Sequence, residues 1–63
     1  MPTLRVELFE GRSADQKREL VAALTEATVR VLDCSPEAVD IVLSDIPRAH
    51  WATGGVLWSE RQA

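Results

Sequence analysis

The feature that most narrows the fold is an alternation that begins almost at the first residue. In Met1-Pro2-Thr3-Leu4-Arg5-Val6-Glu7-Leu8-Phe9, the apolar Leu4, Val6 and Leu8 alternate with Thr3, Arg5 and Glu7. A period of two predicts a strand with one face against a core and the other in a more polar setting. The start of the chain is thereby tied into a sheet rather than left as a frayed tail. Pro2 lies just ahead of the strand, where its missing N–H costs no ladder hydrogen bond. Start methionines are commonly removed ahead of a small second residue, proline included, and removal leaves Pro2 with a free secondary amine. Terminal amines titrate at about 7.7 to 8.0 in model peptides, and apolar burial or a nearby cation lowers that value. A base poised near neutrality works well at physiological pH. Taken alone, a Met-Pro start more often opens an ordinary edge strand, and residues further along the chain decide between the two roles.

Residues 1–63 make a single domain, and a chain of 63 residues buries only about 60% of its unfolded surface. Apolar residues nevertheless make up 46% of it. With no disulfide and no visible metal site to staple it, self-association is the simplest source of further stability. The net charge is −3, with acids and bases interspersed, so no basic stripe is available for nucleic acid. The longest apolar run is too short to cross a bilayer. A charged, amphipathic strand occupies the place of a secretory leader, and a cytoplasmic location is the expectation. The one cysteine, Cys34, lies in Asp33-Cys34-Ser35-Pro36 without a neighbouring histidine, which favours a structural role over a nucleophilic one.

After Phe9, Glu10-Gly11-Arg12-Ser13 breaks the strand, and Ser13-Ala14-Asp15-Gln16 fits a capping box. Leu20, Ala23, Leu24, Ala27 and Val31 then recur at helical spacing, widened by Val21, Thr28 and Leu32, and charged residues fill the opposite face. These predict an amphipathic helix of about 19 residues, about 28 Å long. Asp33-Cys34-Ser35-Pro36 ends it, because a residue before proline avoids the helical region. A single helical turn capped by Ser35, with Pro36 at its first position, is expected to follow. Val39, Ile41 and Leu43 alternate with Asp40, Val42 and Ser44 in a second strand. Short links between strand, helix and strand predict a parallel crossover. Gly54-Gly55 suits a tight turn between two short strands, around Trp51 to Thr53 and Val56 to Trp58. The expected architecture is α/β: a β-α-β subunit with parallel strands and a short C-terminal β-hairpin. Such a sheet has two free edges and an uncovered face for partner chains.

Pro2, then Glu10-Gly11-Arg12-Ser13 with Gln16-Lys17, then His50-Trp51 before Gly54-Gly55 succeed one another in this short chain. In that order and spacing the chain resembles the 4-oxalocrotonate tautomerase family over essentially its whole length. The resemblance implies a tautomerase-like homohexamer whose active sites draw on more than one subunit, with no cofactor. It implies that Pro2 shuttles a proton on a dienol or keto acid. Arg12 matches the arginine that grips the remote carboxylate, and Trp51 an aromatic position that keeps the pocket dry. The chemistry is consistent with the residue types: ketonising an enol needs a base that takes a proton at one end and returns it at another, and a cation for the developing charge. Arg12 offers a permanently charged planar fork suited to a carboxylate. Standing alone, Arg12 would more often be a surface residue, and Trp51 core or interface. The implied partner is a small-molecule carboxylate substrate, with neither nucleic acid nor membrane. His50 has no ligand partner in sequence, so no metal is expected, and Trp58 is expected in interface packing.

One position departs from the family. Asp40 stands where a second arginine is usual, one that polarises the 2-oxo group and helps bind the nearer carboxylate. An acid there reverses a charge, weakens turnover of the family's best-known substrate, and raises the amine's pKa in opposition to Arg12. Three roles for Asp40 stay open. It pairs with Arg12 or Arg48 and tunes the site, with Arg48 supplying the missing cation; it activates water with Pro2, as distant relatives do in hydration, dehalogenation or decarboxylation; or it points to solvent. The leading expectation is a tautomerase that interconverts enol and keto forms of a small unsaturated 2-oxo (di)acid. The alternatives are a hydratase, dehalogenase or decarboxylase using Pro2 with Asp40, and a non-catalytic subunit of a hetero-oligomer.

Overall fold

The computed structural model describes residues 1–61. The first strand, β1, spans Thr3–Phe9, the helix α1 Ala14–Leu32 and the second strand, β2, Asp40–Ile46. β1 and β2 pair in parallel, in register from Thr3 against Asp40 to Phe9 against Ile46. The ladder runs past both ends of β1. The Asp40 N–H donates to the Pro2 carbonyl at 3.0 Å, and the Glu10 N–H to the Ile46 carbonyl at 3.0 Å. Leu4, Val6, Leu8, Ile41 and Leu43 are half-buried, while Thr3, Arg5, Glu7, Asp40, Val42 and Ser44 are exposed. The alternation thus separates a helix-side face from an open one.

The ends of α1 are set by local chemistry. Ser13 accepts from the Gln16 N–H at 3.1 Å, and Gln16 Oε1 accepts from the Ser13 N–H at 2.9 Å, closing the capping box. At the other end Asp33 adopts a left-handed conformation with φ of 53°, which aspartate tolerates better than most residues. Val31 and Leu32, expected on the apolar stripe, are 71% and 58% exposed. The stripe therefore outruns the cover that one subunit provides.

Beyond α1, Pro36–Ala38 forms the expected single turn. The Ser35 carbonyl, however, and not its hydroxyl, takes the bond from the Ala38 N–H, at 3.0 Å. β2 continues through Asp45 and Ile46, further than the alternation predicts. By the pleat Asp45 falls on the helix-side face, where Lys17 of α1 meets its carboxylate at 2.6 Å. Asp45 stays exposed there, which is what lets an acid hold an apolar position in the pattern. Arg48–His50 forms a further turn. The hairpin strands β3 (Ala52–Thr53) and β4 (Val56–Leu57) come next, antiparallel. Gly54 and Gly55 join them with φ of 62° and 82°, the doubly positive turn that matches strand twist and favours glycine. A last turn covers Trp58–Glu60.

No described residue is fully buried in the isolated chain, and its accessible surface is 4919 Å². A compact 7.0 kDa monomer exposes about 4,000 Å². The radius of gyration is 14.8 Å, against about 11 Å for a compact domain of this length. One layer of sheet carries one layer of helix, and the open face has nothing of its own chain over most of its length.

Candidate active site

Each end of the β1–β2 sheet gathers part of the site expected from sequence. At the start of β1, Pro2 is half-buried, and its carbonyl is held by the Asp40 N–H. Pro2 is therefore tied to β2 through its main chain. Asp40 is exposed on the open face beside Thr3. The ion pairs among the described residues are Lys17–Asp45 and Arg18–Asp15, so Asp40 pairs with neither Arg12 nor Arg48 of its own chain. Within one chain distance rules such a pair out, so a cation for Asp40 would have to come from another copy. Arg12 and Arg48 lie beyond the far end of the seven-residue strand, about 20 Å away at about 3.3 Å per residue.

The far end is made of side chains. Gly11 turns the chain out of β1 with φ of 113°, a left-handed conformation that favours glycine. Arg12 comes next, directly before the Ser13 cap, so the capping box fixes the backbone on which the guanidinium is carried. Phe9, the last residue of β1, is the hub. Trp51 lies with its ring centroid 4.6 Å from that of Phe9, and Trp58 with its centroid 5.5 Å away. All three aromatic residues of the chain thus meet in one cluster, at tilted angles favourable for ring quadrupoles. The Arg48 guanidinium stacks over Phe9 at 4.3 Å. A cavity of about 430 Å³ is lined by Phe9, Glu10, Gly11, Arg12, Gln16 and Arg48.

The C-terminal hairpin braces this cluster. The Trp58 N–H donates to the Trp51 carbonyl at 2.8 Å, and Trp58 Nε1 donates to Thr53 Oγ1 at 2.9 Å. Arg61 stacks on Trp58 at 4.6 Å and donates to the Thr53 carbonyl at 2.7 Å. Trp58 thus has partners within its own chain.

Of the residues predicted from sequence, the fold brings Arg12, Arg48 and Trp51 to one end and Pro2 with Asp40 to the other. Phe9 was missed as a site residue because it ends an apolar strand and looks like core. Its position immediately before Glu10-Gly11-Arg12 was the available signal. Among the described residues no cluster of three histidine, cysteine or acidic side chains is arranged to hold a metal ion, and no helix is long and apolar enough to cross a membrane.

The tautomerase enzyme family matches residues 2–61. A probable tautomerase of Ralstonia nicotianae is 39% identical over 56 residues, which is 89% of this chain and 80% of that relative. The 2-hydroxymuconate tautomerase of Stutzerimonas stutzeri is 34% identical over 55 residues, 87% of each chain. Among solved structures, a 4-oxalocrotonate tautomerase homologue superposes with a TM-score of 0.90 at 44% identity, over the full length of both chains. A heterohexamer 4-oxalocrotonate tautomerase from Chloroflexus aurantiacus superposes with a TM-score of 0.92 at 35% identity, covering 98% of this chain and 100% of that one. In sequence, length and backbone course alike, the chain belongs to the tautomerase family, and within it to the 4-oxalocrotonate tautomerases.

Proposed function

We propose that this chain is an isomerase that interconverts enol and keto forms of a small unsaturated 2-oxo acid, with Pro2 as amino-terminal general acid and base once Met1 is removed. The observation that carries the proposal is the placement of Pro2 and Arg12 at opposite ends of one strand, β1, whose outer edge is unpaired among the described residues. A second copy running antiparallel along that edge would set its Arg12 beside the first copy's Pro2. Two such sites form per pair, and a homohexamer of three pairs is the proposed assembly. The 2-hydroxymuconate substrate named for one relative suits such a site.

The chemistry is governed by charge. The neutral Pro2 amine takes the proton of the enol hydroxyl, leaving a dienolate whose negative charge spreads along the conjugated chain. Arg12 of the other copy stabilises that charge at the remote carboxylate, and the proline ammonium returns the proton to carbon. Trp51 and Phe9 exclude water, which strengthens each of these interactions and favours the neutral amine.

Asp40 favours a second reading. Its main chain is bonded to Pro2 and its carboxylate has no intrachain cation among the described residues, so an acid is available near the base for activating water. A hydratase, dehalogenase or decarboxylase that pairs Pro2 with Asp40 is that alternative. A third, a silent subunit of a mixed assembly, draws support from the heterohexamer relative.

The test combines intact mass, native mass and ketonisation of 2-hydroxymuconate by the purified chain. Loss of Met1, a six-copy assembly and turnover abolished by Pro2→Ala support the proposal. Full activity with Met1 retained would end it. An inactive chain that gains activity only with a different partner subunit points to the mixed assembly.

A further inference from the structure

We infer that Arg48 is a second carboxylate-gripping residue, and that the site selects acids whose carboxylate lies away from the reacting enol over acids whose carboxylate flanks it. This inference rests on the isomerase reading and the composite site, and it shifts the preferred substrate from a simple 2-oxo acid to an oxo acid that carries a carboxylate at the remote end.

The cavity between Phe9, Gly11, Arg12 and Arg48 carries two guanidinium groups and one carboxylate, that of Glu10. Among the described residues neither Arg12 nor Arg48 has a side-chain hydrogen-bond acceptor or an ion-pair partner, and Glu10 is paired with neither. The three groups therefore leave one positive charge unbalanced, and one substrate carboxylate neutralises it. Arg48 is suited to the task because its guanidinium lies over the Phe9 ring at 4.3 Å. Stacking desolvates one face and fixes the plane, while the N–H groups at the edge stay available for a carboxylate. Gln16 does not compete for that carboxylate, since its side chain is occupied in the helix cap.

The opposite end has the opposite sign. Asp40 is exposed beside Pro2 with no cation on it among the described residues. Where copies join Pro2 of one to Arg12 and Arg48 of the other, the assembled site is polar along its length, negative at the base and positive at the far wall. A substrate carboxylate adjoining the enol faces repulsion from Asp40, and one at the far end meets two guanidinium forks.

Three dienols separate these positions: 2-hydroxymuconate, with carboxylates at both ends; 2-hydroxypenta-2,4-dienoate, with only the near one; and 5-hydroxyhexa-2,4-dienoate, with only the far one. The native enzyme is expected to favour the far-carboxylate acid over the near one by about tenfold in kcat/KM, the equivalent of one charge-assisted hydrogen bond. Arg48→Ala should lower kcat/KM for the far acid about tenfold more than for the near acid, through KM. Arg48→Lys, which keeps the charge without the planar fork, should recover part of the loss. Asp40→Asn should narrow the native preference by improving the near acid.

Equal losses on all three dienols after Arg48→Ala, or a native preference for the near acid, overturn the inference while leaving the isomerase standing. Failure of the native enzyme on all three removes the isomerase reading itself, and this inference with it.

Discussion

The two ends of the sheet are built by different means. At the Pro2 end the geometry is set by a main-chain hydrogen bond, which almost any side chain at Asp40 would leave in place. At the Phe9 end it is set by side chains, with one ring supporting Trp51, Trp58 and Arg48. Pro2 is thus tied to the sheet through main chain, whereas the far end depends on a few particular side chains. An acid at position 40 is compatible with an unchanged fold for that reason.

The sharpest way to break this contrast is to remove the proposed base. Pro2→Ala should lower ketonisation of 2-hydroxymuconate by about 10² to 10⁴, the range for general acid–base catalysis, while circular dichroism and assembly stay as in the native protein. A large loss of structure would show that the proline holds the sheet end, contrary to the main-chain account. Arg12→Ala comes next, at about 10² to 10³ in kcat/KM, by comparison with loss of an oxyanion donor. Mixing the Pro2→Ala and Arg12→Ala chains after joint refolding should restore activity, because one site in each mixed pair keeps both groups. Persistent inactivity of the mixture would place both groups in one chain's site.

Smaller effects test how far the far end depends on Phe9. Phe9→Ala removes the support of three side chains at a half-buried position, so a destabilisation of about 2 kcal/mol is expected, below the fully buried range. KM should rise with it as Arg48 loses its stacking surface. Ser13→Ala breaks the capping box and should cost about 1 kcal/mol in denaturant unfolding. If KM rises too, the cap positions Arg12 as well as stabilising the helix. Lys17→Met should be the mildest, at about 0.5 kcal/mol or less, because the side chains of Lys17 and Asp45 are 30% and 43% exposed and such pairs are screened by solvent.

Much of the framework was legible in the sequence because local rules dictate it. The capping box placed the start of α1, the alternation placed β1, and the glycine pair placed the hairpin turn. The reach of β2 was hidden because Asp45 reads as polar in the one-dimensional pattern, whereas in the fold it continues the strand while staying exposed beside Lys17. Stacking of Arg48 on Phe9 was hidden for a similar reason. The two are far apart in sequence, and no periodicity announces their contact. The separation of Pro2 from Arg12 could be anticipated from their flanking of one strand, whereas the unpaired state of Asp40 within the described chain required the fold.

A subunit that seals none of its described side chains from water has no interior of its own to defend. Sister chains, on the proposed assembly, supply the missing walls, so the working population should climb faster than linearly with the rate of synthesis and drain away on dilution. Substitutions at Val31, Leu32 or Val42, which look harmless on a lone copy, would then be felt by its neighbours.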